Sequence, residues 1–537
     1  MPRTTLHEAR RPVDGRTPPR RGPERPFAIL FAASGLLVAM AMPPFQAPDE
    51  SWHFYRAYRV SQGHAGLERV GEWGGGKLPE GVLRAVEPFL RLRGRPDLKV
   101  TAADYEGIWA RPLPHQGKVP TAFEGGALYQ FVPYLPQAAA IRVGRLLNGS
   151  PLLLSYLGRL ANLAFGTVLV YLAIRTAPAF KLVFGAVAMI PVSLQQFASN
   201  SPDATVLGVA FLAAAMAYRL AFRGDRRISN RELAAMLALL AWLSACKLPY
   251  ASLSFLVMAI PARSFGSRRK AVVFGLVAVA MSFGLGVAST ALSRPFVPDP
   301  HPLGPVITST SQQIQFVRDS PVSFALTCLN TITRLGSAYI AELGVLGWLD
   351  THVNILAVYF GLAVILLLAV ADAGAWYSPS WRSRTAACLA IAACYGLVAM
   401  SLYSWWTAVG APIIDGIQGR YFLPVLPILP LVLPGRSRWL RVEATPGALL
   451  GLAMGTGAGL AIVTLASIAN RYYVPHKPVM ETPITLAELA ALAVVIASTR
   501  LGARRDAASI VVGERPASPP APHAPVGSGR DTPIRSR

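Results

Sequence analysis

Charged side chains are scarce in this sequence, and that scarcity excludes an ordinary soluble protein. Only 15% of the 537 residues are Asp, Glu, Lys or Arg, whereas soluble domains carry about 25%. Hydrophobic residues make up 53%. They come in runs of roughly 20 residues, the length of an α-helix that crosses a hydrocarbon core about 30 Å thick. The composition therefore predicts an all-α integral membrane protein.

Cysteine is scarce too, and several catalytic motifs are absent. The four cysteines form no CxxC or Cys/His pattern, so neither a disulfide framework nor a cysteine-based zinc site is expected. The sequence also lacks the glycine-rich Walker A loop, the GxSxG nucleophile elbow and the HExxH zinc motif. Their absence argues against a reaction driven by cytosolic nucleotides.

Acidic residues are outnumbered, with 28 Asp and Glu against 51 Lys and Arg, and the formal net charge is +23. The arginines cluster near both chain ends and in the short breaks between apolar runs, where positive charge orients membrane helices and contacts anionic lipids. Nucleic-acid-binding proteins instead gather their charge on a folded face. Membrane lipids are therefore expected partners, and nucleic acid is not.

The apolar runs predict about 12 transmembrane helices (11 to 13). They lie near residues 27–43, 153–174, 178–198, 203–222, 232–246, 248–262, 271–292, 353–372, 386–408, 421–435, 447–468 and 484–499. Every second break is rich in arginine, which predicts that both termini are cytoplasmic. The count depends on 232–262, which we interpret as two short helices because Pro249 breaks a helix.

The regions outside these helices fall into four segments. Residues 1–26 and 501–537 are predicted to be disordered cytoplasmic ends of a membrane domain that spans 27–500. Ala39-Met40-Ala41 resembles a signal-peptidase site, but the many spans that follow favour an uncleaved anchor. Residues 44–150 form a large first extracytoplasmic loop, and 293–352 form a second outer loop whose residues 321–349 look amphipathic and interfacial.

An acidic pair follows the first apolar run. Asp49 and Glu50 precede His53 and Arg56, which lie one and two turns later if a helix begins here. Adjacent carboxylates could serve as a general base or bind a divalent cation. The alternative is that Asp49 caps the helix and Glu50 occupies its first turn. Both roles are compatible.

Three further polar motifs are predicted at the same outer face. Asn200 and Asp203 lie between two predicted spans. They are either ligands of a substrate or metal, or simply part of a turn and the start of the next helix. Lys247 interrupts an apolar stretch before Tyr250, where an ammonium needs a partner such as a lipid phosphate. Arg420 lies on the predicted outer side, although arginines are usually more frequent on the cytoplasmic side, and its neighbours are Gln418 and Tyr421. It is either a two-pronged phosphate ligand or an interfacial anchor.

The polar motifs carry a resemblance. They are Pro43-Pro44-Phe45-Gln46-Ala47-Pro48-Asp49-Glu50 with His53, Asn200-Ser201-Pro202-Asp203-Ala204, Cys246-Lys247-Leu248-Pro249-Tyr250, Gly347-Trp348-Leu349-Asp350, and Gln418-Gly419-Arg420-Tyr421-Phe422-Leu423-Pro424. In this order, over roughly residues 25–500, they resemble a family of bacterial multi-pass membrane proteins classed as a domain of unknown function.

That family in turn looks like the GT-C class of membrane glycosyltransferases, which have a large first outer loop and an acidic pair soon after the first helix. The resemblance implies transfer of a sugar from a polyprenyl-phosphate carrier to an envelope glycan, lipid or protein, at the extracytoplasmic face of the bacterial plasma membrane. Asp49 would act as the base, with Glu50 orienting it or sharing a Mg or Mn ion. No cofactor is certain.

Two other classes of function stay open. A transporter or flippase of lipid-linked envelope precursors suits about a dozen spans and a helix broken at Pro249. A transporter agrees less well with charges that gather near one membrane surface, because transporter sites lie near the bilayer midplane. A non-enzymatic scaffold in envelope assembly would use the polar motifs only to cap helices.

Overall fold

The computed structural model describes residues 22–108, 117–222, 226–303, 306–371, 379–433 and 445–474. Most of these residues are helical, as the composition predicted. The last predicted span (484–499), the basic tail (501–537) and nearly all of the N-terminal segment lie outside the described residues.

Sixteen α-helices follow one another along the described chain. They are α1 Glu24–Ala41, α2 Glu50–Ser61, α3 Glu80–Leu90, α4 Glu124–Ala127, α5 Leu135–Leu146, α6 Pro151–Thr176, α7 Lys181–Ala188, α8 Pro191–Phe197, α9 Asp203–Ala221, α10 Asn230–Cys246, α11 Arg268–Ser293, α12 Thr310–Asp319, α13 Pro321–Ala341, α14 Ile355–Ala371, α15 Trp381–Trp405 and α16 Pro446–Tyr472.

The remaining elements are short strands and 3₁₀-helices. The strands are β1 Glu68–Val70, β2 Trp73–Pro79, β3 Lys118–Ala122, β4 His301–Leu303, β5 Val306–Thr308, β6 Val345–Leu346 and β7 Thr351–His352. They form an antiparallel β1-β2-β3 sheet and two antiparallel hairpins, β4-β5 and β6-β7. The 3₁₀-helices are Ala102–Ile108, Val132–Tyr134, Leu248–Ala259, Ala262–Phe265, Arg294–Phe296, Glu342–Gly344 and Gly419–Leu431.

Six helices in the described part of the chain are long and apolar enough to cross a membrane. They are α1, α6, α9, α11 with the 3₁₀ turn that follows it, α15 and α16. These six support a multi-pass membrane protein. The total of twelve spans stays a prediction, because α10, α14 and the helices near 178–198, 248–262 and 421–435 are shorter.

The predicted single helix over 178–198 is wrong. The structure has two short helices there, α7 and α8, separated by Met189 and Ile190. Pro191 explains the break, because proline disfavours the helical conformation of the preceding residue and donates no backbone hydrogen bond. Ile190 accordingly has an extended ψ of 138°.

Two of the predicted short spans are 3₁₀-helices, Leu248–Ala259 and Gly419–Leu431. Prolines at 424, 427 and 430 recur every third residue, which matches the three residues per turn of a 3₁₀-helix. At a rise of about 2.0 Å per residue, twelve residues extend about 24 Å, compared with about 18 Å in an α-helix. These short segments therefore reach most of the way across a hydrocarbon core of about 30 Å.

The large insert after α1 is folded, and glycines allow its close packing. In β2, Gly75 pairs with Ala122 of β3, and a Cβ atom on Gly75 would lie 2.1 Å from the Thr121 carbonyl oxygen. A Cβ on Gly76 would lie 2.5 Å from the Arg59 side chain. The Gly-rich run therefore forms the tight centre of a sheet, which the sequence analysis did not predict.

The end of α16 fixes the insert to the helices. Arg471 forms an ion pair with Asp350 at 2.8 Å and donates to the Leu92 carbonyl at 2.7 Å. The Val100 amide donates to the Tyr472 carbonyl at 2.9 Å. These bonds join three parts of the chain that are far apart in sequence, so the insert has a defined position over one end of the helices.

The predicted amphipathic segment 321–349 contains α13. One side of α13 is buried through Thr327, Thr331 and Tyr339. Another side exposes Val322 and Leu326, at 70% and 54% of their surface. Threonines thus lie on the buried side and apolar side chains on the exposed side, and the interfacial position of this segment stays a prediction.

Candidate functional site

The site begins at Asp49, directly before α2. Asp49 has a left-handed backbone (φ 60°), and among the described residues its side chain makes no capping hydrogen bond to α2. A non-glycine residue in this conformation costs about 1–2 kcal/mol, and an unused cap forgoes about 1 kcal/mol. The helix start is therefore confirmed, with Asp49 at the N-cap position and Glu50 in the first turn, but the Asp49 carboxylate does not cap the helix by a hydrogen bond.

A glycine makes room for the Asp49 side chain. A Cβ atom on Gly125 in α4 would lie 3.2 Å from Cγ of Asp49 and 3.0 Å from the Trp52 ring. Burial raises the pKa of the Asp49 carboxyl, and the positive charges of Arg420, Arg93 and Lys247 oppose that rise. The carboxyl is thus poised to change protonation state above the usual carboxyl range.

A carboxylate–ammonium pair lies beside it. Lys247, at the end of α10, donates to Oδ1 of Asp203, at the start of α9, at 2.5 Å. The Lys247 ammonium also lies 4.6 Å from the centre of the Tyr129 ring. The side chains of Lys247 and Asp203 keep 10% and 15% of their surface exposed. The pair is therefore mostly buried but keeps a small accessible part. We call the cluster of polar side chains around Asp49, Asp203, Lys247 and Arg420 the recess.

His53 lies close to Asp203, Lys247 and Arg420. It is buried on α2, and its Nδ1 lies 2.9 Å from the Tyr134 hydroxyl. Burial lowers the His53 pKa to about 3, with the charge of Asp203 opposing and those of Lys247 and Arg420 reinforcing the shift. His53 is therefore neutral at physiological pH and can exchange a hydrogen bond without carrying charge.

The two long 3₁₀-helices begin next to each other at this site. Tyr250, near the start of the first, donates through its hydroxyl to the carbonyl of Tyr421, near the start of the second, at 3.1 Å. The Gly419 amide donates to Oε2 of Glu342 at 2.8 Å. A side chain at 419 would meet the Tyr339 carbonyl oxygen, so only glycine fits there.

Arg420 adds a positive charge close to Asp203 and Asp49. It makes no ion pair with the carboxylates of the described chain, and its Nε is buried without a hydrogen-bond partner there. Its guanidinium carbon lies 5.5 Å from the centre of the Tyr421 ring. Oε1 of Gln418 likewise has no partner within the described segments. One donor and one acceptor of this segment thus have no partner in the described chain.

Glu50 and Asn200 lie behind this recess and not in it. Both oxygens of Glu50 accept from the Arg159 guanidinium at 2.7 Å, and both side chains are fully buried. The Asn200 amide donates to the same carboxylate at 2.9 Å. Arg159 also donates to the carbonyls of Ala39, Met42 and Pro43. This network holds the end of α1 and the start of α2 against α6.

The acidic pair is therefore split, with one carboxylate in the recess and the other in the protein core. Within the ranges that the structure describes, no three His, Cys, Asp or Glu side chains gather as metal ligands. Arg56, predicted as a substrate ligand, has a structural role instead, because it donates to the carbonyls of Ala65 and Gly66 at 2.6 and 3.0 Å. It fixes the turn after α2.

Seven of the predicted residues thus gather at one recess: Asp49, His53, Asp203, Lys247, Tyr250, Arg420 and Tyr421. Tyr129, Tyr134 and Arg159 were not predicted. The arginine had a signal, because a charge inside an apolar run is costly unless it is paired. The two tyrosines lie in the polar insert, where the sequence offers no periodic pattern to place them.

Comparison with known proteins gives the family. Residues 31–429 match the family model described as "predicted membrane protein (DUF2142)". The chain belongs to this family. The match covers all the recess residues and the Glu50–Arg159 network, and it confirms the predicted family of unknown function. No curated protein and no solved structure matches this DUF2142 chain.

Proposed function

We propose that this DUF2142 protein is a GT-C-like membrane glycosyltransferase. It would move a sugar from a polyprenyl-phosphate carrier to an envelope glycan, lipid or protein acceptor at the extracytoplasmic face of the bacterial plasma membrane. One observation carries the proposal: the Asp49 carboxylate is withheld from helix capping and shares a recess with Lys247 and Arg420. A base and two cations are the groups that such a transfer needs.

Arg420 is the main phosphate ligand in this proposal. Its Nε has no hydrogen-bond partner in the described chain, and an arginine fork matches the geometry of a phosphate. Lys247 shares its charge with Asp203, so it contributes a hydrogen bond to the phosphate more than a net charge. Both groups stabilise the negative charge that grows on the carrier phosphate as it leaves.

Asp49 takes the proton of the acceptor hydroxyl. The acceptor oxygen forms a bond to the anomeric carbon while the bond from that carbon to the phosphate oxygen breaks. The phosphate leaves with the electron pair, and the proton moves to the Asp49 carboxylate. A single displacement of this kind inverts the anomeric centre. The raised pKa of Asp49 makes its carboxylate a stronger base than an exposed one.

The two predicted metal ligands, Asp49 and Glu50, do not share a metal site. Glu50 is fully used by Arg159 and the Asn200 backbone amide, and Asp203 is paired with Lys247. The carboxylates left near the recess are Asp49 and Glu124, and they would hold a Mg²⁺ or Mn²⁺ ion only together with the carrier phosphate and water. The proposed mechanism routes no step through a metal, and Glu50 orients Asp49 only through the position of α2.

A transfer assay tests the proposal. Purified protein in lipid would receive radiolabelled polyprenyl-phosphate sugars and extracted envelope acceptors. We expect Asp49→Asn and Arg420→Ala to lose at least about a hundredfold in rate. The matched controls are Asp97→Asn and Arg84→Ala, which change exposed residues of the same insert. Full activity in a folded Asp49→Asn protein would remove Asp49 as the base.

One observation favours a second function, a flippase for lipid-linked envelope precursors. The two long 3₁₀-helices each begin beside a cation, Lys247 and Arg420, and meet through Tyr250 and Tyr421. Paired, interrupted helices with charges at their ends recur in transporters. Donor movement across liposome membranes that depends on Arg420, without any sugar transfer, would favour this function. If the protein shows neither sugar transfer nor donor movement, the non-enzymatic scaffold would be favoured.

A further inference from the structure

An apolar groove lies at the opposite end of the helices from the recess. Four elements form its walls: the second half of the 3₁₀-helix Leu248–Ala259, the 3₁₀-helix Ala262–Phe265, the first turns of α11 and the start of α15. Its volume is about 640 Å³, within the range of about 300–1,000 Å³ that ligand pockets occupy. The walls are apolar and include Met258, Phe265, Leu276 and Val279.

Two arginines and a tryptophan stand at the mouth of the groove. Arg268 is the first residue of α11, and Arg382 is the second residue of α15. The Arg382 guanidinium carbon lies 5.7 Å from the centre of the Trp381 ring. Both helices also direct the positive ends of their dipoles to this place. The groove therefore joins an apolar interior to a mouth that attracts an anion.

The wall formed by α11 is open to the membrane. Only 17% of its most apolar stretch is buried inside the protein, compared with 83% for α9. Val272 and Leu276 expose 60% and 66% of their surface, and they face the groove. A ligand that enters there from the hydrocarbon needs a long apolar chain, and the arginines select an anionic head.

We propose that this groove binds one anionic phospholipid. The acyl chain lies between the 3₁₀-helix and α11, against Met258 and Leu276, and the head-group phosphate is held by Arg268 and Arg382. The chain's arginine-rich breaks belong to the predicted cytoplasmic face, so the lipid comes from the inner leaflet. The site is separate from the recess and does not depend on the proposed transferase function.

Photo-crosslinking tests the site directly. Full-length protein in nanodiscs of phosphatidylcholine would receive a trace of phosphatidylglycerol with a diazirine on its acyl chain, and crosslinked peptides would be mapped by mass spectrometry. The expected peptides cover residues 254–279 and 381–385. The same diazirine on phosphatidylcholine should give at least about tenfold less crosslinking, since each arginine near a lipid phosphate adds about 1 kcal/mol.

Three variants separate charge from shape. R268Q/R382Q removes the charges and should reduce the phosphatidylglycerol crosslink to the phosphatidylcholine level. L276W fills the groove and should reduce both crosslinks while leaving the charges in place. The matched control R84Q/R95Q changes two exposed arginines of the insert and should have no effect. Equal crosslinking of the two lipids, or crosslinks spread evenly along α11 in all variants, would overturn the proposal.

Discussion

At the scale of single residues, Asp49 and Glu50 show how neighbours in sequence acquire different roles. Asp49 precedes the first residue of α2 and has a left-handed backbone, whereas Glu50 is helical, so the two side chains leave the chain in different directions. Glu50 is held in the core by Arg159, which lies 109 positions further along the chain. The sequence located the acidic pair correctly, but the roles of its members depend on a contact that local patterns do not report.

Glu50→Gln should destabilise the protein strongly. It leaves the buried Arg159 charge without its partner, which costs about 3–5 kcal/mol for a buried pair. The melting temperature in detergent would measure the loss. Glu50→Gln combined with Arg159→Met should recover much of it, because no unpaired charge remains buried. A stable but inactive Glu50→Gln protein would contradict the structural role and place Glu50 in the site.

Asp49→Asn should behave in the opposite way. The pKa of Asp49 is raised in the folded state, so its contribution to stability is present below the ordinary carboxyl range and is lost as pH rises through the raised pKa. Asparagine resembles the protonated form. We therefore expect Asp49→Asn to melt at the same or a higher temperature than the unmodified protein at pH 7. This advantage should shrink toward pH 4, and a large decrease in melting temperature at pH 7 would make Asp49 a structural residue.

At the scale of secondary-structure elements, hydropathy predicts where the helices lie better than it predicts their type. The predicted spans 153–174, 203–222 and 447–468 correspond to α6, α9 and α16 within a few residues. The split at Pro191 and the two 3₁₀-helices were not predicted. Apolar content alone cannot distinguish them from α-helices, because all of these segments are buried or face lipid. Proline spacing was the available signal.

The Tyr250–Tyr421 bond should couple the two 3₁₀-helices. Tyr250→Phe removes one hydrogen bond worth about 1 kcal/mol, and the start of the second helix, with Arg420, becomes less well positioned. We expect the apparent affinity for polyprenyl phosphate to fall about fivefold, as measured by binding of a fluorescent analogue. Tyr359→Phe, at an exposed position, is the matched control. An unchanged affinity would mean that this bond does not position Arg420.

At the scale of the whole molecule, the folded insert and the end of α16 cover one end of the helices, and Arg227, Arg268 and Arg382 lie at the other. The insert appeared in the sequence only as a polar gap. Its sheet and its attachment through Arg471 depend on contacts between distant segments. The sequence nevertheless placed the four polar motifs at one face through the alternation of spans, and the structure brings most of their residues together.

This arrangement makes a prediction about orientation. In a cysteine-free background, a cysteine at the exposed position 97 of the insert should react with a membrane-impermeant maleimide in intact cells. A cysteine at 268, which is exposed at the opposite end, should react only after the membrane is permeabilised. The reverse pattern would place the recess at the cytoplasmic face and the lipid groove in the outer leaflet.

In the proposed reaction the recess cleaves the bond between a sugar and its carrier phosphate, and the release of free polyprenyl phosphate measures that step directly. Purified protein in lipid, supplied with polyprenyl-phosphate sugar and acceptor, should release one carrier phosphate for each sugar transferred. The Asp49→Asn protein should release at least about a hundredfold less, while the Asp97→Asn control releases the normal amount. If every carrier tested stays intact while the unmodified protein still binds it through Arg420, the transferase account is wrong.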